Sequence, residues 1–423
     1  MKLQNLIYAT MVACAFSACS NDDDPTIPDP AQELDATLTV AFSSVGSNGG
    51  GLKSLQTKAD PDKDANAAIK TIGIAVFNAG AMGTGDAGAS GMAKGALISY
   101  KTRTLIDSDM DSTACIDAKS GSVDVLVVAN PPAGLETLKT KKDFIDATTD
   151  AAIKSTELLM SSTVYNVELA KGRNVIVENT QSIKDKFIAK APVDNFITGH
   201  SNIRVFRNVA NVQLNKIKVD PRADFGGTKK NATFKLKKVY VMHYLPSVRF
   251  FGDADKEWCT VKDGTATITQ NEDGATMNKV YNAEKQQEFT YKGTASDVVV
   301  TDVPSFFVYD NSSTTKIGDN ANVTALVIQG DYTYTANNGV EETSKDAYWT
   351  VYINNDTPQA PTTTGSYTGL EHCGVLRNVQ YAINATITGP GSPDPENPSA
   401  AATLTANVEV VPWGQITLTP DID

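Results

Sequence analysis

The chain has 423 residues, of which 41% are hydrophobic and 20% charged, and its formal net charge is -12. This length suggests two or three domains with packed cores. The acidic balance argues against nucleic acid or an anionic membrane surface as the main partner, because both need basic patches, and three histidines argue against a histidine-based metal enzyme.

The first segment reads as an address. Lys2 precedes an apolar run from Leu6 to Phe16, too short to span a bilayer, which needs about 20 apolar residues. It has the form of an export signal, residues 1–18. Phe16-Ser17-Ala18-Cys19 resembles a lipobox, in which the signal is cut before the cysteine and Cys19 carries lipid. The tether that follows, Ser20-Asn21-Asp22-Asp23-Asp24-Pro25, is solvated and acidic, and is similar to the surface-export signal of Bacteroidia lipoproteins.

Residues 19–58 then form a lipidated leader. Within it Leu34, Ala36, Leu38, Val40 and Phe42 alternate with polar residues, the period of a half-buried strand. Gly46 to Gly51 break regular structure, and an open polar stretch runs from Lys53 to Asn66. Strands are predicted at Ile72–Phe77, Ala96–Tyr100, Val123–Asn130 (stopped by Pro131-Pro132) and Val175–Val177, with the best helical spacing over Leu135–Thr148. From Asn202 the strand texture repeats: Ile203–Leu214, Ile217–Val219, Phe234–Val241, Val298–Val300, Ser305–Tyr309, Ala325–Ile328, Tyr348–Ile353 and Asn378–Ile387. Short strands between turn-rich loops predict an all-β chain of antiparallel β-sandwiches with a few short helices. The division falls near residue 198, giving an N-terminal sandwich over 59–198 and a C-terminal one over 199–423.

The two ends of the chain carry the same pattern. A Pro/Gly linker, Gly389 to Pro398, leads to two alternating runs within 403–419. Leu404, Ala406, Val408 and Val410 share one face of the first, and Ile416 and Leu418 one face of the second. Leu34-x-Ala36-x-Leu38-x-Val40 therefore matches Leu404-x-Ala406-x-Val408-x-Val410, including the small residue in second place. One groove in a sandwich is therefore expected to accept either strand: a cut between the leader strand and Ile72 would let the first leave, and the second, from another copy, would replace it.

Motifs that would carry catalysis fail on context, so no enzyme, cofactor or metal is expected. Gly83-Thr84-Gly85-Asp86-Ala87-Gly88 matches a dinucleotide fingerprint, but the glycines after it discourage the required helix. Asp60-x-Asp62-x-Asp64 starts like a calcium loop, with Ala65 where glycine and Thr71 where glutamate are needed. His372-Cys373 lacks further ligands. Trp258, Trp349 and Trp413 are able to stack on sugars but read better as core or edge residues. Cys115, Cys259 and Cys373 are an odd set, so buried free thiols are expected, with a Cys259–Cys373 bridge as the alternative.

The succession of these pieces resembles the fimbrillins, the type V pilins of Bacteroidia, and most closely their minor-fimbria shaft pilin branch. The matching pieces are Cys19, Leu34–Phe42, Ile69–Phe77, Val125–Pro131, Val205–Val212, Leu376–Tyr381 and Val408–Trp413. The resemblance implies two transthyretin-like β-sandwich domains and an outer-membrane lipoprotein precursor. It also implies a trypsin-like surface protease that removes the leader, after which copies of the chain and related subunits join by donor-strand exchange into an adhesive fimbria. Cleavage in the family often follows arginine, yet no arginine precedes Arg103, so Lys58 is the expected site and Lys53 the second choice. The alternative is an uncut, lipid-anchored surface adhesin, such as a fimbrial tip or a glycan-binding module.

Overall fold

The computed structural model describes residues 34–41, 69–80, 92–104, 113–149, 157–176, 181–198, 203–223, 231–245, 248–249, 281–282, 287–301, 303–360, 371–397, 404–412 and 416–418. The first half supplies β1 (Ala36–Ala41), β2 (Thr71–Asn78), β3 (Leu97–Thr104), β4 (Thr113–Ala118), β5 (Gly121–Ala129) and β6 (Thr148–Thr149). It continues with β7 (Met160–Ser162), β8 (Tyr165–Leu169), β9 (Gly172–Ile176), β10 (Asn195–Ile197) and β11 (Ile203–Arg207). The second half supplies β12 (Val209–Val219), β13 (Ala232–Met242), β14 (Val248–Arg249), β15 (Tyr281–Asn282), β16 (Glu288–Tyr291), β17 (Asp297–Val299) and β18 (Phe306–Tyr309). There follow β19 (Asn311–Ser313), β20 (Ala325–Thr335), β21 (Glu341–Tyr352), β22 (Cys373–Val375), β23 (Val379–Ile387), β24 (Leu404–Pro412) and β25 (Ile416–Leu418). Among the described residues two short α-helices, α1 (Lys141–Asp146) and α2 (Gln181–Lys190), accompany the strands of an all-β fold.

Four main sheets form. The first runs β10-β9-β1-β4 and the second β25-β11-β7-β5-β2-β3, with β8 also on β5. The third runs β17-β12-β23-β24 with β18 on β12, and the fourth β15-β13-β20-β21 with β16 on β13. Period-two alternation sorts the side chains. Ile72, Ile74 and Val76 of β2 join Val125 and Val127 of β5 in the main core, which also holds Leu38 and Val40 of β1. On the opposite face Ala75 and Phe77 pack with Leu126, Val128, Leu135 and Phe144. Strands covered on both faces read as continuous apolar runs, as Val123–Asn130 does.

Several expectations need correction. The leader strand is not half-buried: Thr37 and Thr39 are buried along with Ala36, Leu38 and Val40. The sheets are mixed, since β1–β9, β10–β9 and β12–β23 are parallel pairs. Leu135–Thr148 is not one helix but a single 3-10 turn over Leu135–Thr137, then α1, then β6. Thr140 interrupts it by capping α1, its hydroxyl accepting from the Asp143 N–H while Asp143 reaches back to the Thr140 N–H. The helix α2 had no expectation behind it. Cys373 is free and buried, so it forms no bridge to Cys259, and Cys115 is disulfide-bonded rather than a free thiol. The predicted run Ile203–Leu214 is split at Asn208 into β11, in the second sheet, and β12, in the third, so sheet membership changes there.

That junction is polar and buried. Arg207-Asn208-Val209 recurs as Arg377-Asn378-Val379, and the strands the two tripeptides start, β12 and β23, lie side by side. The Asn378 side chain accepts from the Arg207 N–H at 3.3 Å, and the Asn378 N–H donates to the Val209 carbonyl at 2.8 Å. Asn378 takes the left-handed φ of 57° that asparagine tolerates. The Arg377 guanidinium donates to Asp310 Oδ1 at 3.0 Å and to the Arg249 carbonyl at 3.1 Å, with both charged side chains almost wholly buried. Removing one member of such a pair strands the other charge. Asp310→Ala is therefore expected to destabilise the chain by about 3–5 kcal/mol in denaturant titration, while a comparable substitution at the exposed Lys216–Asp297 pair changes it little.

Candidate functional site: the seats of the two end strands

The leader strand β1 occupies an interior slot. It runs antiparallel to β4, with Ala36 opposite Ala118 and Val40 opposite Ala114, and parallel to β9, with Ala36 opposite Gly172 and Thr39 opposite Val175. Both of its edges are therefore hydrogen-bonded. Leu34 packs against the core and Ala36, Leu38 and Val40 lie within it. Phe42 lies outside the described residues, as do Cys19, Lys53 and Lys58 and the motifs at Asp60–Asp64 and Gly83–Gly88.

Its N-terminal end is held by a polar clamp. Asp35 Oδ1 accepts from the Ser120 N–H at 2.8 Å, Oδ2 accepts from the Ser120 hydroxyl at 2.9 Å, and the Lys171 ammonium stands 3.3 Å from Oδ2. The Asp35 carbonyl accepts from the Gly172 N–H at 2.9 Å. Gly172 has φ of 90°, and a Cβ there would meet Asp194 Oδ2 at 2.1 Å, so the start of β9 requires glycine. Burial raises the Asp35 carboxyl, but the Ser120 hydrogen bonds and the Lys171 ammonium outweigh it and hold it below the usual carboxylate range.

The tail strands sit on the chain's own body, at sheet edges. β24 pairs antiparallel with β23, from Leu404 opposite Ile387 to Pro412 opposite Val379, and ends the third sheet. β25 pairs with β11, Ile416 opposite Val205 and Leu418 opposite Ile203, and ends the second. Ala406 and Val408 are only partly buried, in contrast to Ala36 and Leu38 of β1, while Leu404 and its counterpart Leu34 are both partly buried. Among the described residues, then, β24 has a strand partner on one backbone edge alone.

The segment before the tail is pinned rather than free. Ser392 exchanges backbone hydrogen bonds with Tyr348 of β21, at 2.8 and 2.9 Å. Trp349, fully buried, donates its indole N–H to the Gly389 carbonyl at 3.2 Å, and the Thr350 hydroxyl donates to the Pro395 carbonyl at 2.6 Å. A Cβ on Gly391 would meet the Tyr348 carbonyl at 2.6 Å. Trp349 is thus a core residue, and Trp258 and Trp413 lie outside the described residues. His372 and Cys373 are buried, His372 Nε2 standing 2.6 Å from the Tyr381 hydroxyl, which accepts from the Leu376 N–H. Among the described residues no cluster of three metal-ligating side chains occurs.

Two outcomes follow from this geometry. Leu38→Ala empties a closed core position and is expected to cost about 2–5 kcal/mol of unfolding free energy, whereas Val408→Ala, at a half-buried edge position, costs clearly less in the same denaturant titration. Asp35, with its lowered value, stabilises the fold fully above the usual carboxylate range, and loses that contribution as pH falls through its folded value. Acid titration of Asp35→Asn should therefore show a smaller loss of stability below about pH 4 than wild type.

This arrangement has relatives. Residues 36–215 match the family model described as the major fimbrial subunit protein (FimA). The chain is 22% identical to the major fimbrium subunit FimA type-2 of Porphyromonas gingivalis, over 98% of each sequence. In structure it resembles a Parabacteroides distasonis protein described as a cell adhesion protein, at 22% identity and a TM-score of 0.54, covering 90% of this chain and 99% of that one. It also resembles a fimbrilin of P. gingivalis, at 18% identity and a TM-score of 0.53, covering 90% and 98%. These relatives are fimbrial subunits and an adhesion protein, not enzymes. Those from fimbriae are of the major type where a type is stated, and they lend no support to a place nearest the minor-fimbria shaft pilins. A chain of paired sheets, it is similar over nearly its whole length to fimbrial subunits of Bacteroidia, whose family model its residues 36–215 match.

Proposed function

We propose that the protein is a structural subunit of a cell-surface fimbria, exported as a lipoprotein on Cys19 and matured by removal of the leader at Lys58, or at Lys53. The emptied slot between β4 and β9 then receives the tail of another copy, and the assembled fibre supports adhesion. The observation that carries this reading is the contrast between the two end strands. β1 fills an interior slot with its apolar side chains buried, while β24, of the same apolar pattern, rests at a sheet edge with those side chains half covered.

The energetics favour exchange. Removal of β1 uncovers two backbone edges and a row of apolar pockets. Refilling four or five pockets, at roughly 1.5–3 kcal/mol each, suggests on the order of 10 kcal/mol before the entropy of association, and the ladder bonds of strand addition act in the same direction. Slot and tail are different surfaces, so the contact is heterologous and propagates as a filament instead of closing. The cut also frees the subunit from the lipid of Cys19. Relatives named as fimbrium subunits and as a cell adhesion protein agree with this assignment.

Deleting residues 404–423 is expected to leave a folded, leader-cleaved monomer that forms no filament, seen by electron microscopy and as the loss of heat-sensitive ladders on a denaturing gel. Undiminished fibres would overturn the exchange reading. Intact mass of the surface protein decides the rest. A start near Ala59 agrees with maturation, and a lipidated, uncut monomer favours the anchored adhesin instead.

A further inference from the structure

We infer that Asp35 is a specificity-determining residue of the leader slot: its clamp on Ser120 and Lys171 is open to the chain's own leader and closed to the tail of another copy, so an uncut precursor keeps the tail out. This rests on the exchange reading of the slot.

Both end strands offer the slot nearly the same apolar pattern, with Val408 where the leader has Leu38. They differ in the polar positions between them. Leu34-Asp35-Ala36-Thr37-Leu38 aligns with Leu404-Thr405-Ala406-Asn407-Val408, so the tail brings Thr405 where the leader brings a carboxylate. Slipping the tail by one residue would turn its apolar face out of the core. A slip of two, which preserves that face, brings Thr403 or Asn407, and neither is acidic. No register that keeps the small residue within two positions of its pocket restores the charge.

The clamp is built for a carboxylate. Ser120 supplies an amide N–H and a hydroxyl to the two oxygens of one group, at 2.8 and 2.9 Å, the paired geometry in which an ionised acceptor binds about twice as strongly as a neutral one. A threonine hydroxyl has one oxygen and offers it no charge. Lys171 is exposed, so solvent and salt weaken its share, and the two Ser120 bonds carry the discrimination. Placement reinforces this. Asp35 stands at the end of β1 where the strand meets both neighbours, next to the Ala36 pairings with Ala118 and Gly172. Release of that end opens both ladders from the same side. Once the leader has gone, the clamp has no occupant to favour, and apolar fit alone selects the incoming strand.

The test uses the full chain, uncut and after proteolytic removal of the leader, with a labelled peptide of residues 404–419 as probe. Uncut Asp35→Asn and Asp35→Thr should take up the peptide about tenfold or more tightly than uncut wild type, because the leader competes less well. After the leader is removed the three proteins are the same molecule, and their common affinity is the reference for the open slot. Uncut variants that bind no better than wild type also overturn it. Hydrogen exchange supplies a readout independent of the peptide. The amides of Leu38 and Thr39 should exchange faster in uncut Asp35→Asn than in wild type, and unchanged protection would sink the clamp. Should cut wild type refuse the peptide while that exchange difference is present, the exchange reading fails and the clamp on the leader stands.

Discussion

An interior strand cannot be removed from a sheet without consequence. β1 is hydrogen-bonded along both edges, to β4 and to β9, and its apolar side chains lie in the main core. Its absence would expose two rows of backbone donors and acceptors together with the pockets of Ala36, Leu38 and Val40, a state that draws in any strand of matching pattern. The clamp at Asp35 and the two flanking ladders are what hold β1 in this place.

The remainder of the body is tied together by polar contacts. The second and third sheets are joined at Asn208 and Asn378 through a buried polar node, in which the Arg377–Asp310 pair and the Arg249 carbonyl meet. Buried charges are a poor source of stability, but they penalise any arrangement that separates them. The Gly389–Asn397 segment, strapped to β21 by Trp349, Thr350 and Ser392, gives the tail a fixed root. The tail itself is held at edges, where a strand gives up one ladder rather than two.

Much of this was legible in residues. Alternation in Leu34–Phe42 and Leu404–Val410 marked both end strands and their likeness, and the continuous apolar run Val123–Asn130 marked a strand covered on both faces. The misses have physical causes. Leu135–Thr148 has helical spacing, but Thr140 caps a new helix in its midst, and a cap outweighs a loose periodicity. Ile203–Leu214 reads as one strand because nothing apolar is lost at Asn208, where the side chain instead bonds Ser161 and the chain changes sheets. Thr37 and Thr39 look solvent-facing because threonine suits exposed and covered pleats alike.

Residues alone make plain that the chain is built of strands and that its two ends carry nearly the same apolar pattern. These are matters of period and composition, which a single strand displays without neighbours. It takes the folded chain to place β1 inside a sheet and β24 at an edge, to run β9 parallel to β1, and to bring Asp35 to Ser120 and Lys171. Pairing partners and their direction are set by contacts between residues far apart in the chain, and Asp35 lies 85 positions from the serine that holds it.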